Sequence, residues 1–222
     1  MKVAVVGSSA GLGAAVALRH ARRDDDVVAV ARRGDRLKQL AESTPPRAGK
    51  WVSVTADVTS PEGLAACLEA SAGCDRIYLT AAVNAGIRHT IALNFEAHCR
   101  IAEALDRRGL QVVAISSLAA VVAFPDLEVY GASKAALEQW FASHSRTAES
   151  DLLIVRPGRF ASEFHTGPLP FDPGSLPHGR AAEVVAAADS SRSGTVTLGG
   201  VRDRIAVAVS RIFGPVHALG VL

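Results

Sequence analysis

Cysteine is scarce, with three residues in 222. Cys67, Cys74 and Cys99 form no CxxC pair, and an odd number leaves at least one thiol unpaired. A disulfide scaffold or zinc ribbon is therefore not expected, and buried free thiols on helices are. Aromatic residues make up only 5% of the chain, too few for the stacking platforms that hold single-stranded nucleic acid. Net charge is only +2, which argues against a duplex-binding groove or a polybasic membrane anchor. No uninterrupted apolar run reaches the roughly 18 residues that a membrane-spanning helix requires. The apolar stretch after Lys2 superficially resembles a secretory leader, but Gly7, Ser8, Ser9, Gly11 and Gly13 interrupt it. Composition points to a cytoplasmic globular protein with neither nucleic acid nor membrane as partner.

What is abundant is apolar sequence, 49% of residues, arranged in a regular alternation. Short β-branched runs at Lys2–Val6, Val27–Ala31, Trp51–Thr55, Ile77–Thr80, Gln111–Ser116 and Leu152–Val155 read as strands. Between them, Leu12–Arg23, Arg36–Glu42, Pro61–Ala70, a long stretch to about Arg107, and Gly131–Thr147 read as helices. Ser60 before Pro61 and Glu62 is a helix-start signal. Near-continuous apolar strands must be covered on both faces, so the alternation predicts an α/β fold of parallel strands with crossover helices. Five of the ten prolines fall between Pro157 and Pro177. Residues 159–179 thus read as a long loop over a binding site, followed by a helix at Arg180–Asp189, a strand at Thr195–Leu198 and a helix at Asp203–Phe213. No repeat or linker divides the chain, so one domain over residues 1–222 is expected.

The first strand runs into Gly7-Ser8-Ser9-Ala10-Gly11-Leu12-Gly13. Glycines here permit a tight turn and let helix-start N–H groups approach a pyrophosphate, which the helix dipole also attracts. A glycine cluster alone is weak, but within a βαβ unit it points to dinucleotide binding. Where a carboxylate after the second strand would grip a ribose 2′-hydroxyl, this chain has Arg32 and Arg33. Two guanidinium groups suit a 2′-phosphate, so NADP(H) is favoured over NAD(H). Asp57, with Val58, follows the third strand and could accept from the adenine amine or simply cap the loop toward Ser60.

Tyr130 and Lys134 are four residues apart, on one face of a helix. A free phenol titrates near 10, and a neighbouring ammonium favours its ionised form, which would bring Tyr130 toward working pH as an acid or base. Such pairs are common on helices. Two further positions strengthen this one: Ser117, at the end of the fifth strand, where a hydroxyl can meet a carbonyl oxygen, and Asn94, a carboxamide in the apolar stretch Ile91–Phe95 that needs a water or backbone partner if buried.

Taken in order, Gly7/Gly11/Gly13, Asp57, Asn94, Ser117, Tyr130/Lys134 and Pro157-Gly158 resemble the short-chain dehydrogenase/reductase family, in the branch with GxxxGxG and YxxxK motifs. The resemblance covers about residues 1–162 and continues loosely to Gly200. It implies a Rossmann-like, doubly wound parallel sheet of about seven strands in three α/β/α layers. It also implies a catalytic tetrad at Asn94, Ser117, Tyr130 and Lys134. In such enzymes the serine orients a carbonyl and the tyrosine protonates it as hydride arrives from the nicotinamide. The lysine holds the nicotinamide ribose and the asparagine positions a water. Cofactor contacts then fall on Gly7, Ser8, Ser9, Gly11, Leu12, Gly13, Arg32, Arg33, Asp57, Val58, Ala81, Tyr130, Lys134, Pro157, Gly158 and Ser162. Ser162 stands where a threonine commonly meets the nicotinamide carboxamide. The chain departs from the family at Val6, where threonine is usual, and at Leu79-Thr80-Ala81-Ala82, where Asn-Asn-Ala-Gly is usual. Eleven residues separate Ala82 from Asn94, which predicts a shortened fourth helix; a homodimer or homotetramer is the family's habit.

Phe160, Phe164, Phe171 and Leu176 give the loop an apolar character suited to a small hydrophobic ketone or alcohol, while His165, His178 and Glu163 read as incidental. The favoured activity is an NADPH-dependent carbonyl reductase, running in reverse as an alcohol dehydrogenase. The alternative is a catalytically silent NADP(H)-binding sensor or scaffold. A sugar-nucleotide epimerase of the longer related branch would need a different glycine spacing and a larger carboxyl-terminal region. The hydrophobic last helix, around Ile205–Val209, is expected to pack under the loop rather than to join subunits.

Overall fold

The computed structural model describes residues 1–46, 48–158, 172–213 and 216–217, with side chains described as far as Ser210. Strands β1 (Lys2–Val6), β2 (Asp26–Ala31), β3 (Trp51–Thr55), β4 (Arg76–Leu79), β5 (Gln111–Ile115), β7 (Asp151–Arg156) and β8 (Gly194–Thr197) form one sheet in the order β3-β2-β1-β4-β5-β7-β8. Every neighbouring pair in it is parallel. This is the seven-stranded, doubly wound arrangement that the resemblance implies. The chain leaves β1 in one direction to build β2 and β3, and in the other to build β4 onward. The crevice at the carboxyl ends of β1 and β4 is therefore the switch point where such sheets bind ligands.

Alternation along the strands builds two cores. Val3, Val5, Val27 and Ala29 face α1 (Gly11–Ala21), α2 (Gly34–Glu42) and α7 (His178–Ser190). Ala4, Val6, Val28 and Val30 face the other layer, where α3 (Pro61–Ser71), α5 (His98–Ala104) and α6 (Glu128–His144) contribute Cys67, Ile101, Leu137 and Phe141. All three thiols are free and buried, Cys67 and Cys99 on helices as expected, but Cys74 in the turn before β4. Ser60 caps α3 by accepting from the Gly63 amide at 3.0 Å.

The fourth helix departs from a regular rod. α4 (Gly86–Ile91) has six residues and passes through a wide π turn at Ala92–Ala97 into α5. α6 begins at Glu128, earlier than the expected Gly131, because the chain turns at Asp126, whose φ is +62°, and is already helical before the tyrosine. The two-residue strands β6 (Val122–Ala123) and β9 (Val216–His217) pair in parallel, a contact the residue pattern did not signal. In α8 (Val201–Phe213), Ala206 and Val207 are buried whereas Ile205 is half exposed, so the helix packs through part of its apolar face. No helix among the described residues is long and apolar enough to cross a membrane.

Candidate active site

A cleft of about 1130 Å³ opens over the carboxyl ends of the strands. That is larger than the ~300–1,000 Å³ typical of a pocket for one drug-sized ligand. Its near wall is the glycine turn. Gly7 has φ +98°, and a Cβ there would lie 2.4 Å from the Ala81 nitrogen, so only glycine fits against the loop after β4. Helix α1 has no side-chain cap, which leaves its first-turn N–H groups at Gly11, Leu12 and Gly13 for the cleft they line. Ser9 lines the cleft and its hydroxyl accepts from Arg33 Nε at 3.0 Å. Ser8 does not share that role: it is fully buried, its hydroxyl donates to the Val30 carbonyl, and it is not part of the lining. The expected contact at Ser8 is corrected to a structural one, because successive residues of the turn point to opposite sides.

Arg32, Arg33, Asp57 and Val58 line the far end of the cleft. Arg32 Nη1 lies 3.8 Å from Asp57 Oδ2. Asp57 also accepts from the Thr59 amide and hydroxyl at 3.0 and 2.7 Å, which holds its carboxyl below the ordinary aspartate range against the cost of burial. It therefore both closes its loop and faces the cleft.

The inner end is built where β5 meets α6. Ser117, extended after β5, caps a short turn at Leu118–Ala120 by accepting from the Ala119 amide. A Cβ on Gly131 would sit 2.6 Å from the Ala119 carbonyl oxygen, so glycine at this position lets α6 approach the turn. That close approach brings the Tyr130 and Ser117 hydroxyls into hydrogen-bond contact. Lys134, fully buried below them, donates from Nζ to the Ile115 carbonyl at 2.8 Å and lies 5.8 Å from the centre of the Tyr130 ring.

The titration of this pair differs from the expectation. Burial pushes the Tyr130 phenol up to about 12, with the Ser117 hydrogen bond pulling the other way. Burial also lowers the Lys134 ammonium to about 8, opposed by the Glu138 charge. The spacing shows the charge of Lys134 but not the desolvation of both groups, and desolvation dominates.

Asn94 lies off the cleft, in the π turn and wholly buried. Its Oδ1 accepts from the Val83 amide at 2.9 Å, and its Nδ2 donates to the Val83 carbonyl at 2.9 Å and to Ser133 Oγ at 3.1 Å. The carboxamide has found the backbone partner that burial demands. Ser133 in turn donates to the Tyr130 carbonyl at 2.7 Å. Asn94 thus ties the cleft wall at Thr80–Asn84 to the helix that carries the tyrosine.

Ala81, Pro157 and Gly158 line the cleft, whereas Ser162, Phe160, Phe164, His165, Phe171 and Glu163 lie outside the described residues. His178 is a structural residue whose ring meets the Pro173 carbonyl at 2.8 Å. Sequence reasoning missed Ser133, Gly131 and Glu138, although the first two lie within the Tyr130–Lys134 segment. The part of the cleft lined by Val83, Leu93, Leu118, Phe124 and Leu127 is apolar.

Residues 1–166 match the model of a family described as short chain dehydrogenase. Over 192 residues the chain is 29% identical to "Oxidoreductase calM" of Penicillium decumbens, covering 73% of this chain and 62% of that protein. The chain spans less than two thirds of the length of the curated relatives it matches. Among solved structures, an alcohol dehydrogenase from Thermococcus sibiricus complexed with 5-hydroxy-NADP superposes with a TM-score of 0.79 at 19% identity, over 90% of this chain and 96% of that one. A carbonyl reductase from Pseudomonas aeruginosa superposes at 0.70 with 26% identity, over 88% and 95%.

Proposed function

The chain belongs to the short-chain dehydrogenase family, and from that premise we propose that it is an NADP(H)-dependent oxidoreductase interconverting a small, apolar ketone and its alcohol. The observation that carries this reading is the contact between the Ser117 and Tyr130 hydroxyls at the inner end of the cleft, above the Lys134 ammonium.

The residues present fit a dinucleotide. The uncapped start of α1 offers N–H donors to a pyrophosphate, Asp57 and Val58 sit where an adenine would lie, and Arg32 and Arg33 supply cations for a 2′-phosphate. Pro157 and Gly158 line the same cleft as Lys134. When bound, the nicotinamide supplies or takes up a hydride. The protein does the rest. Ser117 and Tyr130, already in contact, direct two O–H donors to one carbonyl oxygen, and Tyr130 gives its proton to that oxygen or recovers it from the alcohol. Burial keeps the Tyr130 phenol neutral, so it holds the proton that the carbonyl oxygen is to receive. The Lys134 charge beneath it stabilises the phenolate left behind. Apolar walls at Leu118, Phe124 and Leu127 exclude water and favour an uncharged substrate. The reading places the enzyme in the cytoplasm, where its three buried thiols stay reduced.

The test is Tyr130→Phe. NADPH oxidation across a panel of carbonyl compounds should fall by about 10²–10⁴-fold, the usual worth of a general acid, while NADPH affinity measured by fluorescence stays within about threefold of the parent, since the ring is retained. Equal turnover by the two proteins rejects Tyr130 as the proton donor.

A further inference from the structure

One buried ion pair lies directly beneath the site and has no part in the chemistry described so far. Glu138 sits one helical turn beyond Lys134 on α6. Arg156 ends β7, immediately before Pro157 and Gly158. The Arg156 Nε donates to Glu138 Oε1 at 2.7 Å, Nη2 donates to Oε2, and the two side chains are only 6% and 13% exposed. The Ser116 hydroxyl, next to Ser117, donates to the same Oε1 at 2.5 Å. Arg156 Nη1 reaches Thr197 Oγ1 on β8 at 3.4 Å.

We propose that Glu138 is a positioning residue for the reaction. Resting on the oxidoreductase reading above, it ties the ends of β5 and β7 to α6 and so holds Ser117 and the Pro157–Gly158 wall in register with Tyr130 and Lys134. Three observations converge on it. A bidentate carboxylate–guanidinium pair fixes direction as well as distance. Its two strand partners each directly precede a residue that lines the cleft. A buried pair of this kind is poor value as stabilisation alone, because apolar residues would serve as well, so the geometry it imposes is what it contributes.

The groups around Lys134 are few: Glu138 on its own helix, the Ile115 carbonyl on β5, Tyr130, and the neutral His98 ring on α5, which feels the Lys134 charge. Around Glu138 stand Ser116, Arg156 and Lys134. Among the described residues Glu138 is thus the one anion that favours the Lys134 ammonium, and Glu138→Gln removes it while keeping the shape.

Two measurements test this. The first needs no cofactor: urea midpoints from pH 6 to 10 for the parent, Glu138→Gln, Lys134→Met and the double variant. The parent should gain stability as pH rises through about 8, where folded Lys134 sheds a proton that the unfolded chain retains. In Glu138→Gln this rise should begin at least half a pH unit lower, and in the Lys134→Met background Glu138→Gln should change no pH dependence. Parallel parent and Glu138→Gln profiles overturn the proposal. The second is steady-state kinetics with NADPH and a carbonyl substrate of the parent. Glu138→Gln should lower kcat at least tenfold with KM changed less than threefold, and the alkaline limb of the rate profile should move with the stability profile. Glu138→Asp, which keeps the charge, should recover part of kcat and the parental pH limb. Unchanged kcat per folded molecule also overturns the proposal. If the parent turns over no carbonyl but the stability profiles shift as stated, the oxidoreductase reading fails and the control of Lys134 by Glu138 stands.

Discussion

Replacing Asn94 by alanine tests whether this residue anchors the cleft. The substitution deletes three hydrogen bonds, two to the Val83 backbone and one to Ser133. Each is worth about 0.5–1.5 kcal/mol net. Val83 is only half-buried, so water can replace part of the loss there, whereas Asn94 and Ser133 are sealed from solvent. The sum is about 3 kcal/mol, and at about 2–4 °C per kcal/mol for a chain of this size the melting temperature should drop by about 6–12 °C. Because Val83 belongs to the cleft wall, NADPH affinity should fall as well. Thermal melting, urea unfolding and NADPH titration read these effects, and Ser133→Ala completes a double-mutant cycle whose coupling should exceed about 0.5 kcal/mol. A variant within about 0.5 kcal/mol of the parent that has nonetheless lost turnover would refute the anchoring argument and place Asn94 in the proton path instead.

The arginines and the buried histidines carry two further predictions. Replacing Arg32 and Arg33 together by alanine should weaken NADPH much more than NADH in a direct binding titration; equal losses would contradict a role for these cations at the 2′-phosphate. His98 is fully buried, and neither ring nitrogen meets a protein partner among the described residues. Burial holds its pKa well below the ordinary 6.5, and that of His20 is also lowered by burial despite the hydrogen bond to Asp25. The unfolded chain therefore takes up protons below pH 6.5 that the folded chain refuses, so stability falls with falling pH, by up to about 2 kcal/mol from His98 between pH 6.5 and 5. His98→Leu should lessen that slope in urea unfolding without loss of stability at pH 7.5, and a slope as steep as the parent's would count against it.

The order of elements was legible because each strand is an apolar β-branched run bounded by turn residues, and β1 and β3 fall on the expected residues. The glycine turn, the arginines and the Tyr130–Lys134 spacing are local signals, so their meeting in one cleft followed from the fold. What stayed hidden depends on partners distant in sequence. Glu138 looks like any exposed helix residue until β7 brings Arg156 beside it. Ser8 and Ser9 are alike in sequence, and only the path of the turn separates a buried hydroxyl from one in the cleft. The pKa of Tyr130 was misjudged because a charge can be counted from spacing whereas desolvation cannot.

The same dependence on distant partners governs the opposite end of the sheet. At the amino end of β4, Arg76 is buried and donates to Gln111 at 2.6 Å, to the Tyr78 hydroxyl at 3.1 Å, to Asp189 at 2.8 Å and to the Ala188 carbonyl at 3.0 Å. His20 joins Tyr78 to Asp25, which also pairs with the amino terminus. A charged residue inside a strand is costly unless its donors are used, and here β4, β5 and α7 supply the partners. The network lies at the strand starts and the cleft at the strand ends, so the two polar systems share the strands but no side chain. That separation lets the cleft keep groups directed at a ligand, since the elements carrying them are also fixed from below.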